Sequence, residues 1–153
     1  IIKKERSSKK EVDIDNELYN ENKQLYIINN ICMGNNFTGI EKIKQMIKKK
    51  RSSYRTQDVK KERFNKNTFI EYDELIDKLV ISKLKCSYCK CNMLILYKNI
   101  RDEKQWTLDR VDNSIGHTND NCVISCLQCN LQKRTRDDSK FKFTKQMNII
   151  KIN

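Results

Sequence analysis

Two cysteine pairs enclose the stretch that decides the fold: CSYCKC over Cys86–Cys91, then WTLDRVDNSIGHTNDN over Trp106–Asn121, then CVISCLQCNLQKR over Cys122–Arg134. Cys86/Cys89 and Cys126/Cys129 each have CxxC spacing, and 36 residues lie between the two pairs. Thiolates are soft donors suited to tetrahedral zinc. Four of them complete the coordination shell and leave no open position, which is the structural kind of zinc site. A redox dithiol is the competing reading, and the presence of two matched pairs argues against it. The intervening segment is longer than a simple zinc ribbon carries, and its excess fits a ββα element.

The enclosed segment is polar and carries Asp109, Arg110, Asp112, His117 and Asn121, with Asn130 directly after the last cysteine. Trp106–Val111 and Cys122–Ser125 read as strands, and a short helix is expected from near Asn130 through Lys133 or Arg134. Met93–Tyr97 reads as a further strand. Cys32, Cys91 and Cys122 remain as packed free thiols, although Cys91 and Cys122 are near enough in sequence to compete as ligands.

Upstream, Thr38-Gly-Ile-Glu41 has the form of a capping box, and Ile40, Ile43, Met46 and Ile47 follow at helical spacing, predicting an amphipathic helix over Thr38–Lys50. From its last turn onward, Lys48, Lys49, Lys50, Arg51, Arg55, Lys60, Lys61 and Arg63 are interleaved with Tyr54 and Phe64. This composition suits contact with a nucleic-acid backbone and its bases, and equally a solvated face. Thr68-Phe-Ile-Glu71 reads as a second capping box, opening a helix whose Tyr72, Leu75, Ile76, Leu79 and Val80 form a core stripe. Leu25–Ile31 is apolar and too short to choose between strand and buried helix. Residues 1–24 read as a flexible basic and polar arm whose Lys3, Lys4, Arg6, Lys9 and Lys10 are available to phosphate. Phe141, Phe143, Met147 and Ile150 sketch a helix near the C-terminus. The expected organisation is therefore an arm (1–24), a helical basic region (25–85), the cysteine-bracketed core (86–137) and a C-terminal segment (138–153), of α+β class: a small zinc-stapled ββα core preceded by amphipathic helices.

Composition points to a polyanionic partner. The 153 residues carry 32 Lys and Arg against 20 Asp and Glu, a formal charge of +12, which favours phosphate contact and counterion release. Hydrophobic residues are only 37% of the chain, so the core is thin for its length and a metal staple helps it. No apolar run of ~18 residues and no signal peptide is visible, and seven cysteines in this pattern fit a reducing compartment: nucleus, cytoplasm or virion rather than the secreted space. No membrane partner is expected, while other protein subunits are compatible with the pattern. The absence of Pro and the abundance of Lys, Asn and Ile suggest AT-rich coding, as in a phage, large DNA virus or AT-rich microbe. The chain begins at Ile1 rather than Met, so an N-terminus further upstream is expected.

CSYC, the strand-end LDR, the loop Gly116-His-Thr-Asn-Asp-Asn121 and CLQCNLQK together resemble the HNH, or ββα-metal, endonuclease family, in its form with two CxxC knuckles. The resemblance covers roughly Cys86–Asp137. It implies hydrolysis of DNA phosphodiesters around one divalent ion, magnesium or manganese, with Asp109 on the second strand and Asn130 on the helix as its ligands and Asn121 pinning the loop. DNA is the expected substrate ahead of RNA, with Lys133, Arg134 and Arg136 joining the upstream basic segment in seating it. Where the family usually has Asp-His, this chain has Asp109-Arg110. Arginine has no acceptor and stays protonated, so Arg110 cannot take a proton, although it can clamp phosphate. The chain's only histidine, His117, becomes the candidate replacement base, ahead of Asp112. A second reading keeps the fold and drops catalysis, giving a zinc-stapled nucleic-acid-binding or packaging protein, and a third makes it a protein-interaction domain.

Overall fold

The computed structural model describes residues 13–134 and 136–152. The Lys3–Lys10 cations of the expected arm lie outside the described residues. Residues 13–24 do not behave as an arm. Two short 3₁₀ turns, Asn16–Tyr19 and Glu21–Lys23, bring Leu18 and Gln24 into the interior. Asp15 caps the first turn by accepting from Glu17 N at 3.0 Å.

The apolar run left open between strand and helix is α1, Gln24–Met33, which buries Ile27, Ile28 and Ile31 on one side and ends at Gly34 in the left-handed conformation (φ +72°). That conformation carries little penalty without a Cβ, and the Gly34 and Asn35 amides close the helix onto the Ile31 and Asn30 carbonyls at 3.2 and 3.0 Å.

The next helix is longer than its apolar pattern predicts. α2 spans Ile40–Lys60, so the basic segment expected to follow a helix is itself helical. Ile40, Ile43, Ile47, Tyr54 and Asp58 form its buried stripe, ending in two polar residues that apolar periodicity does not count. Thr38 is not its cap: Gly39, at φ +93°, holds that position and no side chain caps it. The second capping box is likewise displaced by three residues. α3, Tyr72–Ile81, is opened by Glu71 and Glu74, whose carboxylates bond reciprocally to backbone amides, and Leu75, Ile76 and Leu79 face α1.

Met93–Leu96 is buried and Tyr97 half-buried, but Met93–Tyr97 is not a strand. Its amides have scattered partners: Met93 N donates to Leu84 O (2.7 Å), Leu94 N to Lys104 O (2.9 Å), and Ile95 N and Leu96 N to the Gln24 side-chain oxygen (2.9 and 2.8 Å). Gln24 in turn donates to Leu18 O and Asn20 O. One buried amide side chain thus satisfies backbone that would otherwise need a ladder.

The sheet has two antiparallel strands, β1 (Trp106–Arg110) and β2 (Cys122–Cys126), in register from Trp106↔Cys126 to Arg110↔Cys122. α4, Leu127–Lys133, follows β2 directly, and α5 spans Asp138–Ile152. The class is α+β, as expected. A two-stranded ribbon is marginal alone. Here α4 packs on it, Leu108 N donates to the Tyr54 hydroxyl of α2 (3.1 Å), and the first cysteine knuckle ties to it through Ser87 N to Ile124 O (2.9 Å). Among the described residues no helix is long and apolar enough to cross a membrane.

Candidate functional site

The two knuckles converge. The sulfurs of Cys86, Cys89, Cys126 and Cys129 all lie within 4.8 Å of one another, with Cys89 and Cys126 at 3.8 Å. Four sulfurs placed ~2.3 Å from a tetrahedral ion sit ~3.8 Å apart, so the cluster could hold one zinc ion. Local backbone preorganises it: Tyr88 N and Cys126 N donate to the Cys86 sulfur (3.4 and 3.3 Å), and Cys129 N to the Cys126 sulfur (3.4 Å). Lys90 takes a positive φ of 63° to turn the first knuckle. Cys91 is not a member of the four-sulfur cluster. Cys122 is a buried free thiol, pushed up to about 12 by burial.

Because Cys126 both belongs to the sulfur cluster and caps α4, the cluster sets where that helix lies. α4 runs along the face of β1 that carries Thr107 and Asp109. Asn130 Nδ2 donates to Thr107 Oγ1 (3.1 Å), and one turn later Lys133 Nζ lies 3.1 Å from Asp109 Oδ2. The Tyr88 hydroxyl, from the first knuckle, lies 2.5 Å from the same Asp109 oxygen and also against Asp138 at the start of α5, so its single proton is shared between two carboxyl groups. Burial holds the Asp109 carboxyl above its ordinary range, while Tyr88 and Lys133 oppose that shift. Two oxygens at this interface are left over. Asp109 Oδ1 and Asn130 Oδ1 make no hydrogen bond among the described residues, yet neither is sealed from solvent, since the Tyr72 hydroxyl alone is both sealed and unpartnered there.

The loop between the strands is fixed from three directions. Asn121 accepts from Asp112 N (2.8 Å) and donates to the Asp112, Ile115 and Gly116 carbonyls, which is the pinning role expected of it. Arg110 donates to the Asn113 and Ile115 carbonyls (3.0 and 3.3 Å). Its guanidinium is therefore engaged with the loop, where a free phosphate clamp was expected. Asp112 accepts from the Ser114 amide and hydroxyl, and this holds its carboxyl below the ordinary range.

The third anchor is Asp58 of α2. Its two oxygens accept from His117 N (2.7 Å) and bond His117 Nδ1 (2.7 Å), so the chain's single histidine is a buried member of a dyad. Tyr54 packs on the imidazole with ring centroids 4.8 Å apart. Burial pulls the His117 pKa down, and Asp58 partly restores it. Gly116 makes the approach sterically feasible, because a Cβ there would come within 2.5 Å of Arg63 O and 2.7 Å of Asp58 Oδ2.

Several of the expected phosphate contacts are corrected by burial. Lys133 has no exposed surface and is committed to Asp109 and the Arg110 carbonyl. Lys50 points inward, donating to Tyr97 Oη (3.1 Å), Gln105 Oε1 (2.9 Å) and the Trp106 carbonyl, with its ammonium 4.4 Å from the Trp106 ring centroid. Tyr54 is core, so it offers no base contact. Arg51 is half-buried and donates to Ile70 O (2.7 Å) beside Glu71. Arg63 is half-buried, while Lys48, Lys49, Arg55, Lys60, Lys61, Arg134 and Arg136 are exposed. Asp58, Tyr88 and Asp138 went unnoticed in the sequence, where each is an ordinary polar residue far along the chain from its partners.

No family model matches the chain, and no solved structure matches it. An uncharacterized protein of Acanthamoeba polyphaga mimivirus is 38% identical over 65 residues, covering 42% of this chain. The matched segment spans about a tenth of that relative's length.

Proposed function

We propose that this chain is a zinc-stapled, HNH-like endonuclease that hydrolyses DNA phosphodiester bonds with a divalent ion held by Asp109 and Asn130. The observation that carries this reading is the pair of unpartnered, solvent-reaching oxygens, Asp109 Oδ1 and Asn130 Oδ1, on one strand–helix interface. Hard oxygen donors of this kind suit magnesium or manganese, whereas the sulfur cluster suits zinc. When bound, the divalent ion would supply positive charge at the scissile phosphate. Lys133 neutralises the second Asp109 oxygen and keeps the carboxylate oriented. His117 is the base for the attacking water, and Arg110 keeps the loop that carries it in place. The exposed cations of α2, with Arg134 and Arg136, steer the duplex. The viral relative and the Lys-, Asn- and Ile-rich composition favour a virus-encoded enzyme acting in a reducing compartment.

Incubation of supercoiled plasmid and branched DNA with Mg²⁺ or Mn²⁺ tests the proposal. Nicking that falls at least ~10²-fold in Asp109→Ala and Asn130→Ala supports it. Absence of cleavage by the zinc-loaded wild type overturns it.

One observation favours the second reading, a nucleic-acid-binding or packaging protein without catalysis: Asp109 already has an ammonium at 3.1 Å in place of an added cation. That reading expects steeply salt-dependent binding with no cleavage and no divalent-ion uptake.

A further inference from the structure

Resting on the nuclease reading, we infer that Asp58, more than fifty residues before the loop and outside the cysteine-bracketed unit, is the positioning residue that makes His117 a general base. The argument begins with acceptor chemistry. A carboxylate oxygen can only accept from an imidazole nitrogen, so the 2.7 Å contact between Asp58 Oδ1 and His117 Nδ1 places the ring proton on Nδ1. The lone pair is then on Nε2. That nitrogen makes no hydrogen bond among the described residues, and it is not sealed from solvent, because the Tyr72 hydroxyl alone has both properties there. The second Asp58 oxygen holds the His117 backbone amide, so the same side chain fixes both ring and loop.

His117 lines an open cleft of about 260 Å³ together with Asp58, Arg63, Asn65, Thr68 and Ser114, enough for water and a phosphate oxygen. The groups acting on it are Asp58 and Tyr54 from α2, Arg63 from the turn after α2, and Asp109 and Arg110 from β1. In the step, a water proton passes to Nε2 as the water oxygen forms a bond to phosphorus. The bond from phosphorus to the departing sugar oxygen breaks with its electron pair, and solvent water protonates that oxygen. The imidazolium then returns its proton to solvent, with Asp58 stabilising the transient charge.

A single histidine allows a direct test, since its ring nitrogens give the only histidine signals in a ¹⁵N-labelled sample of the full zinc-loaded chain. The expected spectrum shows protonated Nδ1 and unprotonated Nε2 at pH 7.5. Asp58→Asn should lower kcat by roughly 10²-fold or more with KM little changed, and move the acid limb of the kcat profile to lower pH, because the charge that raises the His117 pKa is gone. Asp58→Glu should recover part of the rate. An Nε2–H tautomer in the wild type overturns the inference even where DNA is cut. So does an Asp58→Asn variant that is folded by circular dichroism and keeps both the wild-type rate and pH profile. Should Asp58→Asn not fold, the wild-type tautomer and the Asp58→Glu rate decide. A wild type with the expected tautomer that cuts no DNA removes the nuclease reading and, with it, this role for Asp58.

Discussion

Lys133 Nζ, with no solvent exposure, stands 3.1 Å from Asp109 Oδ2 across the α4–β1 interface. The pair joins the helix set by the second cysteine knuckle to the strand that carries the proposed metal ligand. Replacing Lys133 by Met leaves Asp109 buried without its counter-charge, a change that costs about 3–5 kcal/mol. Urea unfolding of the variant should show that loss, and Asp109→Asn in the Lys133→Met background should recover much of it. A variant as stable as wild type would mean that the pair is not formed in solution.

The four-cysteine cluster should hold one equivalent of zinc, measurable by elemental analysis of protein purified without added metal. Cys126→Ser should lose the metal and most cooperative unfolding, because the residue both belongs to the four-sulfur cluster and caps α4. Chelation should unfold the wild type in the same way. Full metal content in Cys126→Ser would contradict the ligand set.

Gly116→Ala forces a methyl group toward Arg63 O and the Asp58 carboxylate, backbone and a committed side chain that have little room to retreat. A loss of about 1–3 kcal/mol is expected, together with a shifted His117 resonance, since the loop must lift from α2. An unchanged melting temperature and resonance would show that the close approach does not exist.

Lys50 gives a pH dependence of predictable sign. Desolvation lowers its pKa from 10.5 to about 7. With a folded pKa below the unfolded value, the unfolded chain binds more protons between pH 7 and 10.5, so stability rises with pH across that window. Wild type compared with Lys50→Met, which cannot titrate, should show the excess positive slope between pH 7 and 9. Parallel curves would place the Lys50 pKa near its ordinary value.

For nucleic-acid binding, burial separates cations that share one charge type. Neutralising Lys48, Lys49, Lys60 or Lys61 should each weaken duplex binding and lower the salt slope by up to about 1. Lys50→Gln should leave that slope unaltered, because its ammonium already faces Tyr97, Gln105 and Trp106. An equal effect at Lys50 would mean that it turns outward on binding.

The features legible beforehand were those encoded by local spacing. Metal-ligand geometry needs two residues between paired cysteines, and the four thiols meet accordingly. The Leu75, Ile76 and Leu79 stripe needs a 3.6-residue period, and it is core. The places where local reading failed have equally definite causes. Glutamates took over the α3 cap because Glu71 and Glu74 satisfy each other's amides, and Gln24 supplied the acceptor that removed any need for a ladder at Ile95 and Leu96.

By itself, then, the sequence determined the cysteine staple, the two strands between its halves, the helix after them and the basic character of α2, since each depends on neighbours a few residues apart. Only the tertiary structure decided which lysines are surface and which are ion-paired core, that Asp58 reaches His117, and that Tyr88 and Asp138 meet around Asp109. Charge type is written in the chain, whereas solvation and partner are set by packing between segments that sequence distance keeps apart.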